Sequence, residues 1–166
     1  DNTFGFSTGA AGNSVKAGPG GAGLVQYTLP SIADGVAINA TYASAGENNE
    51  GSTALGLVYT GIEGLTVSLG TGNDNSTVAV DADYTTMKAS YVYGSITASV
   101  SASEYDHTTA ANDQEVKSFG LSYTVTDDIS VSYGQDTIEN NTDTADIEVD
   151  GITASYTSGG MTVTAK

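Results

Sequence analysis

LVQYTLPSIADGVAINATYAS, residues 24–44, reads as two alternating runs on either side of a turn. Val25, Tyr27 and Leu29 share one side of the first run. Val36, Ile38, Ala40 and Tyr42 share one side of the second and leave Ala37, Asn39 and Thr41 opposite, because strand side chains alternate with a period of two. Between the runs, Pro30 has no N–H to give a ladder, and Gly35 frees the backbone where the second run begins. The unit is a hairpin with one apolar face and one small, polar face.

The rest of the chain repeats it. Residues 1–23 carry no period and end in a glycine-rich run, so they read as a long loop. From residue 24 the alternation predicts ten strands, at 24–29, 35–43, 52–60, 65–71, 83–92, 95–104, 115–125, 129–136, 147–157 and 161–166. Leu55, Leu57 and Tyr59 are answered by Leu65, Val67 and Leu69, and Phe119, Leu121 and Tyr123 by Ile129, Val131 and Tyr133. The intervening positions are Ser, Thr, Gly and Asn, almost without charge. No window shows a helical stripe, so the expected class is all-β, an antiparallel up-and-down meander. Short turns alternate with longer acidic connections, expected at 44–51, 72–82, 105–114 and 137–146.

Composition narrows what such a meander is for. Charged residues are only 14% of the chain against the roughly 25% usual in soluble domains. Soluble sandwiches place Lys and Glu on their outward strand positions, and this chain does not. Four basic residues, all lysine, face twenty acidic ones for a net charge of −16, which excludes nucleic acid as a partner because nothing neutralises phosphates. No apolar run approaches the ~20 residues of a transmembrane helix, but a barrel strand needs only about 9–11 residues of alternating pattern.

Depth along the strands is patterned too. Fifteen of the twenty acidic residues surround the long connections, with Glu47, Glu50, Asp74, Asp106, Asp113 and Asp143 as the expected acidic rim. Charge driven off strand centres is what a hydrocarbon penalty enforces. The ten tyrosines fall into two levels, Tyr27, Tyr59, Tyr91, Tyr93, Tyr123 and Tyr156 near the short turns and Tyr42, Tyr84, Tyr105 and Tyr133 toward the long ones, as interfacial girdles do.

Catalytic material is scarce. There is no cysteine, His107 is the sole histidine, and no nucleophile-elbow motif occurs, so neither an enzyme nor a zinc-type metal site is expected. The cluster Asn73-Asp74-Asn75 and the acidic stretch 143–150 have the oxygen chemistry Ca²⁺ accepts but not the spacing of an EF-hand, and solvated rim charge explains them better.

Asn13-Ser14-Val15-Lys16 with the glycine run, then Val25-Gln26-Tyr27-Thr28-Leu29-Pro30, then Gly35 and the strand ending Thr41-Tyr42-Ala43, give the chain a resemblance to Gram-negative outer-membrane general porins. The hairpin phrase Tyr59-Thr60-Gly61-Ile62-Glu63-Gly64-Leu65-Thr66-Val67 is similar to theirs as well. The resemblance implies a transmembrane β-barrel in the cell outer membrane, with sixteen strands of which about ten are present, so that the chain, which starts at Asp1 without Met, is an internal piece of a longer barrel. It implies a homotrimer, lipid and lipopolysaccharide as partners, no cofactor, and residues 1–23 as part of the constriction loop. Family members often line the eyelet with a basic cluster; here there is no arginine, and only Lys88 on the wall, beside Thr86 and Ser90, and Lys16 in the loop are basic candidates. With Ser99 and Ser122 these are the expected pore-lining residues.

Three functions follow. The first is a passive, weakly cation-preferring channel for small hydrophilic solutes and ions. The second is an extracellular structural β-protein, such as an adhesin, surface-layer or fibre subunit. The third, a soluble β-sandwich module, is disfavoured because ten strands over residues 24–166 are spaced about 14 residues apart, wider than the 8 to 12 typical of sandwiches.

Overall fold

The computed structural model describes residues 24–30, 32–45, 51–77 and 80–165. They form β1 (Leu24–Thr28), β2 (Val36–Ala43), β3 (Ser52–Ile62), β4 (Leu65–Thr77), β5 (Val80–Tyr93), β6 (Ile96–His107), a 3-10 turn (Ala110–Asn112), β7 (Gln114–Thr126), β8 (Ile129–Asn140), β9 (Ile147–Ser158) and β10 (Met161–Ala165). All ten strands belong to one antiparallel sheet in sequence order. Among the described residues β1 pairs only with β2 and β10 only with β9, so the sheet is open there. A single layer of this kind removes the sandwich reading, which needs a second sheet.

Register makes the two faces continuous. Tyr59 stands opposite Val67, Val67 opposite Ala89, Ala89 opposite Val100, and Val100 opposite Phe119. Leu121 then meets Tyr133, and Tyr133 meets Ile152. Directly opposed residues share a face, so one side of the sheet carries the apolar set throughout. The band crosses the hydrogen-bonded rows obliquely: the row that starts at Ile38 passes Leu57, Leu69, Met87 and Ala102, then reaches Lys117, Thr137 and Glu148. Such a stagger is the shear that tilted barrel strands require.

Packing is inverted relative to a soluble domain. Val100 is 47% exposed, Leu121 43% and Ile152 66%, all on the apolar face. Leu57 and Val67 are half-buried rather than sealed, and so are Ser99 and Ser122 on the opposite side. The only buried hydrophobic residues among those described, Ala82, Tyr105, Val116 and Ile138, lie on the hydroxyl face toward the long connections. An apolar face this extensive is viable only against hydrocarbon, where each Leu or Phe contributes about 1.5–3 kcal/mol.

The strands run further than the alternation predicts. β4 continues to Thr77 and β5 begins at Val80, with Asn73 paired to Asp83 and Thr77 to Val80, so the connection expected at 72–82 is mostly ladder. The connections expected at 105–114 and 137–146 shrink to 108–113 and 141–146 because β6 ends at His107 and β8 at Asn140. A strand of 12 residues is about 40 Å long and, tilted by about 40°, outreaches an apolar band roughly 25 Å tall. The acidic residues therefore decorate strand extensions beyond the band, where backbone pairing persists without an apolar period.

At the opposite end the turns are tight. Gly35 has φ +73°, and a Cβ there would meet the backbone of Thr60 and Gly61. Gly35 accepts the Thr60 N–H at 2.7 Å, so two neighbouring turns are packed backbone to backbone.

Candidate functional site: the hydroxyl-lined face

Even-numbered residues of β5, β7 and β8 and odd-numbered residues of β6 and β9 make this face. Ser90 stands opposite Ser99, Thr97 opposite Ser122, and Ser122 opposite Ser132. Thr86 and Ser103 are paired across strands and share a hydroxyl hydrogen bond of 3.0 Å. Lys88 lies between Ser68 and Ser101 in register and is exposed. Thr86, Lys88, Ser90, Ser99 and Ser122 thus share one wall. Lys16, Glu47 and Glu50 fall outside the described residues; Asp74 is on β4 opposite Ala82.

The acidic rim is built differently from a ring of loop charges. Asp106 is paired with Asp83, and Glu104 with Glu115, which is paired in turn with Glu139. These side chains are on the apolar side of the sheet, beyond the band toward the long connections. Lys117 reaches Glu115 at 3.0 Å and Glu139 at 3.1 Å within this group. Like charges directly opposed on one face repel, so the single lysine offsets only part of the ladder.

Asp113 and Asp143 hold the connections. Asp113 accepts the His107 N–H at 2.8 Å and the Asn141 Nδ2–H at 3.1 Å, and Asp143 accepts from Asn140 Nδ2 at 2.8 Å. The Nδ1 of His107 accepts the Thr109 N–H at 2.8 Å, which puts the histidine to work in a turn. Asn73 Oδ1 is engaged by Thr53, through both N–H and hydroxyl, at 2.7 and 2.8 Å. Among the described residues no group of three or more His, Cys, Asp or Glu is arranged to hold a metal ion.

Two features of the face lay beyond the sequence reading. Tyr84 and Tyr105, paired with each other, are on the hydroxyl side, so they leave the girdle expected of the tyrosines. Asp136, expected at a strand end among the rim charges, lies inside β8 opposite Ser118; it is fully buried and neither carboxylate oxygen has a hydrogen-bond partner, nor has the Ser118 hydroxyl. Parity with Ser130, Ser132 and Gly134 was the available signal, provided the strand was carried on to Asn140.

A family model described as Gram-negative porin matches residues 1–165. The fold is similar to a porin structure refined at 1.8 Å resolution, with a TM-score of 0.62 and 19% identity over 85% of this chain and 53% of that one. It is also similar to a loop L8 deletion mutant of OmpT, an outer membrane protein of Vibrio cholerae, with a TM-score of 0.59 and 21% identity over 80% of this chain and 51% of that one. The chain thus spans about half the length of these two solved structures. No curated protein matches it in sequence. With the apolar band turned outward, the hydroxyl wall behind it and a family model matched over nearly its whole length, the chain belongs to the Gram-negative porins of the outer membrane.

Proposed function

We propose that this chain forms the wall of a water-filled passage through which small hydrophilic solutes and ions diffuse passively, with a weak preference for cations. The observation that carries this reading is the pair of faces: an unbroken outward apolar band, and behind it a Ser, Thr and Gly surface with Lys88 as its one described cation. Hydroxyls bind passing solutes briefly and release them, and the surplus of carboxylates raises the local cation concentration. No cofactor or energy input enters.

The reading extends to closure and partners. β1 and β10 each lack a neighbour on one side among the described residues, and the solved relatives are about twice as long, so further strands complete the barrel in the whole protein. Outward carboxylates above the band, such as Glu104, Asp106 and Glu148, suit divalent cations bridging to lipopolysaccharide, and a homotrimer agrees with the family.

Planar-bilayer recordings in a KCl gradient test it. The expected reversal potential favours K⁺ in dilute salt, and the preference shrinks as rising salt screens the rim. Firm anion selectivity in dilute salt would overturn it. Release from cells by salt or chelator alone, without detergent, would point instead to a surface structural protein.

A further inference from the structure

Asp136 is the one fully buried carboxylate among the described residues, and both its oxygens lack a donor. An ionised carboxylate offers about four acceptor sites, and leaving all of them empty away from water is strongly unfavourable. Ser118, directly opposite on β7, adds a second buried oxygen without a partner. Toward the short turns, Gly120, Gly134 and Gly151 stand side by side in the next row of the same face, so the described wall itself puts no side chain on that side of the carboxylate.

No described protein cation answers it. Lys117 points to the other face and is engaged by Glu115 and Glu139. Lys88 shares the row Lys88, Ser101, Ser118, Asp136, but it is three strands away and exposed.

We propose that Asp136, with Ser118 beside it, is the cation-holding point of the passage and sets the part of its cation preference that persists in concentrated salt. The proposal rests on the channel reading and deepens it. Its physical content lies in the contrast with the rim. Exposed rim charges are screened within a Debye length, about 3 Å at 1 M salt, whereas a carboxylate withdrawn from bulk water keeps its field in concentrated salt. A cation that meets it sheds part of its water, and the Ser118 oxygen replaces some of that hydration. Cation preference should then have two parts, one from the rim that salt removes and one from Asp136 that it does not.

The test is the K⁺/Cl⁻ permeability ratio of the whole protein in dilute and in about 1 M KCl. Wild type should retain a ratio above unity in concentrated salt; Asp136→Asn should lower it there by about twofold or more, while the rim variant Asp106→Asn should lower it only in dilute salt. Asp136→Asn is nearly isosteric and removes an unpartnered acid, so it should fold; as a second variant, Asp136→Glu keeps a carboxylate at the position and should retain the residual ratio in about 1 M KCl. An unchanged ratio in Asp136→Asn, in a channel that is otherwise cation-preferring, would overturn the proposal and leave the channel reading standing. Absence of any cation preference in a conducting wild type would overturn the proposal together with the cation preference it rests on, and absence of conductance would overturn the channel reading itself. If Lys16→Gln cancelled the effect of Asp136→Asn, Lys16 would be the counter-charge in place of a mobile cation, and the proposal would fail.

Discussion

Leu121 and Ser122 are neighbours on β7 that face opposite solvents, and a substitution at each should report which is which. Leu121→Arg places a charge on the outward band and should cost the folded barrel about 2–4 kcal/mol if it sits at mid-depth, read from urea unfolding in lipid vesicles. Ser122→Arg should fold normally and instead reduce single-channel conductance. Equal destabilisation by both would contradict the assignment of faces. The turn glycines supply a second comparison. Gly35 and Gly94 both have positive φ, but only Gly35 has backbone where a Cβ would go; around Gly94 there is nothing within 4 Å. Gly94→Ala should therefore cost about 1–2 kcal/mol of left-handed strain alone, and Gly35→Ala measurably more in the same unfolding assay. The alternation around Leu121 was legible in the sequence because its period is local. The environment of Gly35 was not, because Thr60 and Gly61 reach it only through the pairing of β2 with β3.

At the scale of elements, the strands carry more of the chain than their apolar positions suggest. β4 and β5 have 13 and 14 residues; the far end of β4 is Asn, Asp, Ser and Thr, and that of β5 alternates Asp81 and Asp83 with Val80 and Ala82. Alternation in hydropathy marks only the part of a strand that touches lipid, so the polar extensions looked like loops until cross-strand pairing was visible. Hydrogen exchange should separate the two descriptions. The amides of Asn73 and Asp83 should be protected to a degree typical of ladder, while those of Thr142, Thr144 and Ala145 exchange quickly. The same experiment on the whole protein tests closure: the β10 amides that point away from β9 should be slow if another strand lies alongside, and fast exchange at those sites would refute the added strands.

At the scale of the molecule, the net charge of −16 and the exposed carboxylates predict that cation preference falls steadily between about 0.01 and 1 M salt, as the Debye length drops from about 30 to 3 Å. A ratio insensitive to salt over that range would mean the rim has no influence on permeation. Most of the architecture was readable before any coordinates: fold class, strand number, the outward apolar band and the Ser and Thr of the opposite wall all follow from a two-residue period and a shortage of charge. Asp136 was not readable as a site, since a lone acid near a strand end looks like every other rim charge. Its meaning came from Ser118 across the ladder and from the absence of any described lysine within reach. The sequence by itself thus determined which side chains share a face, because that depends on parity along one strand. Only the tertiary structure decided which residues of different strands stand together and at what height, because register and shear are properties of the assembled sheet, and among the described residues they place Asp136 behind the band while sending Asp83, Glu104, Asp106, Glu115 and Glu139 beyond it.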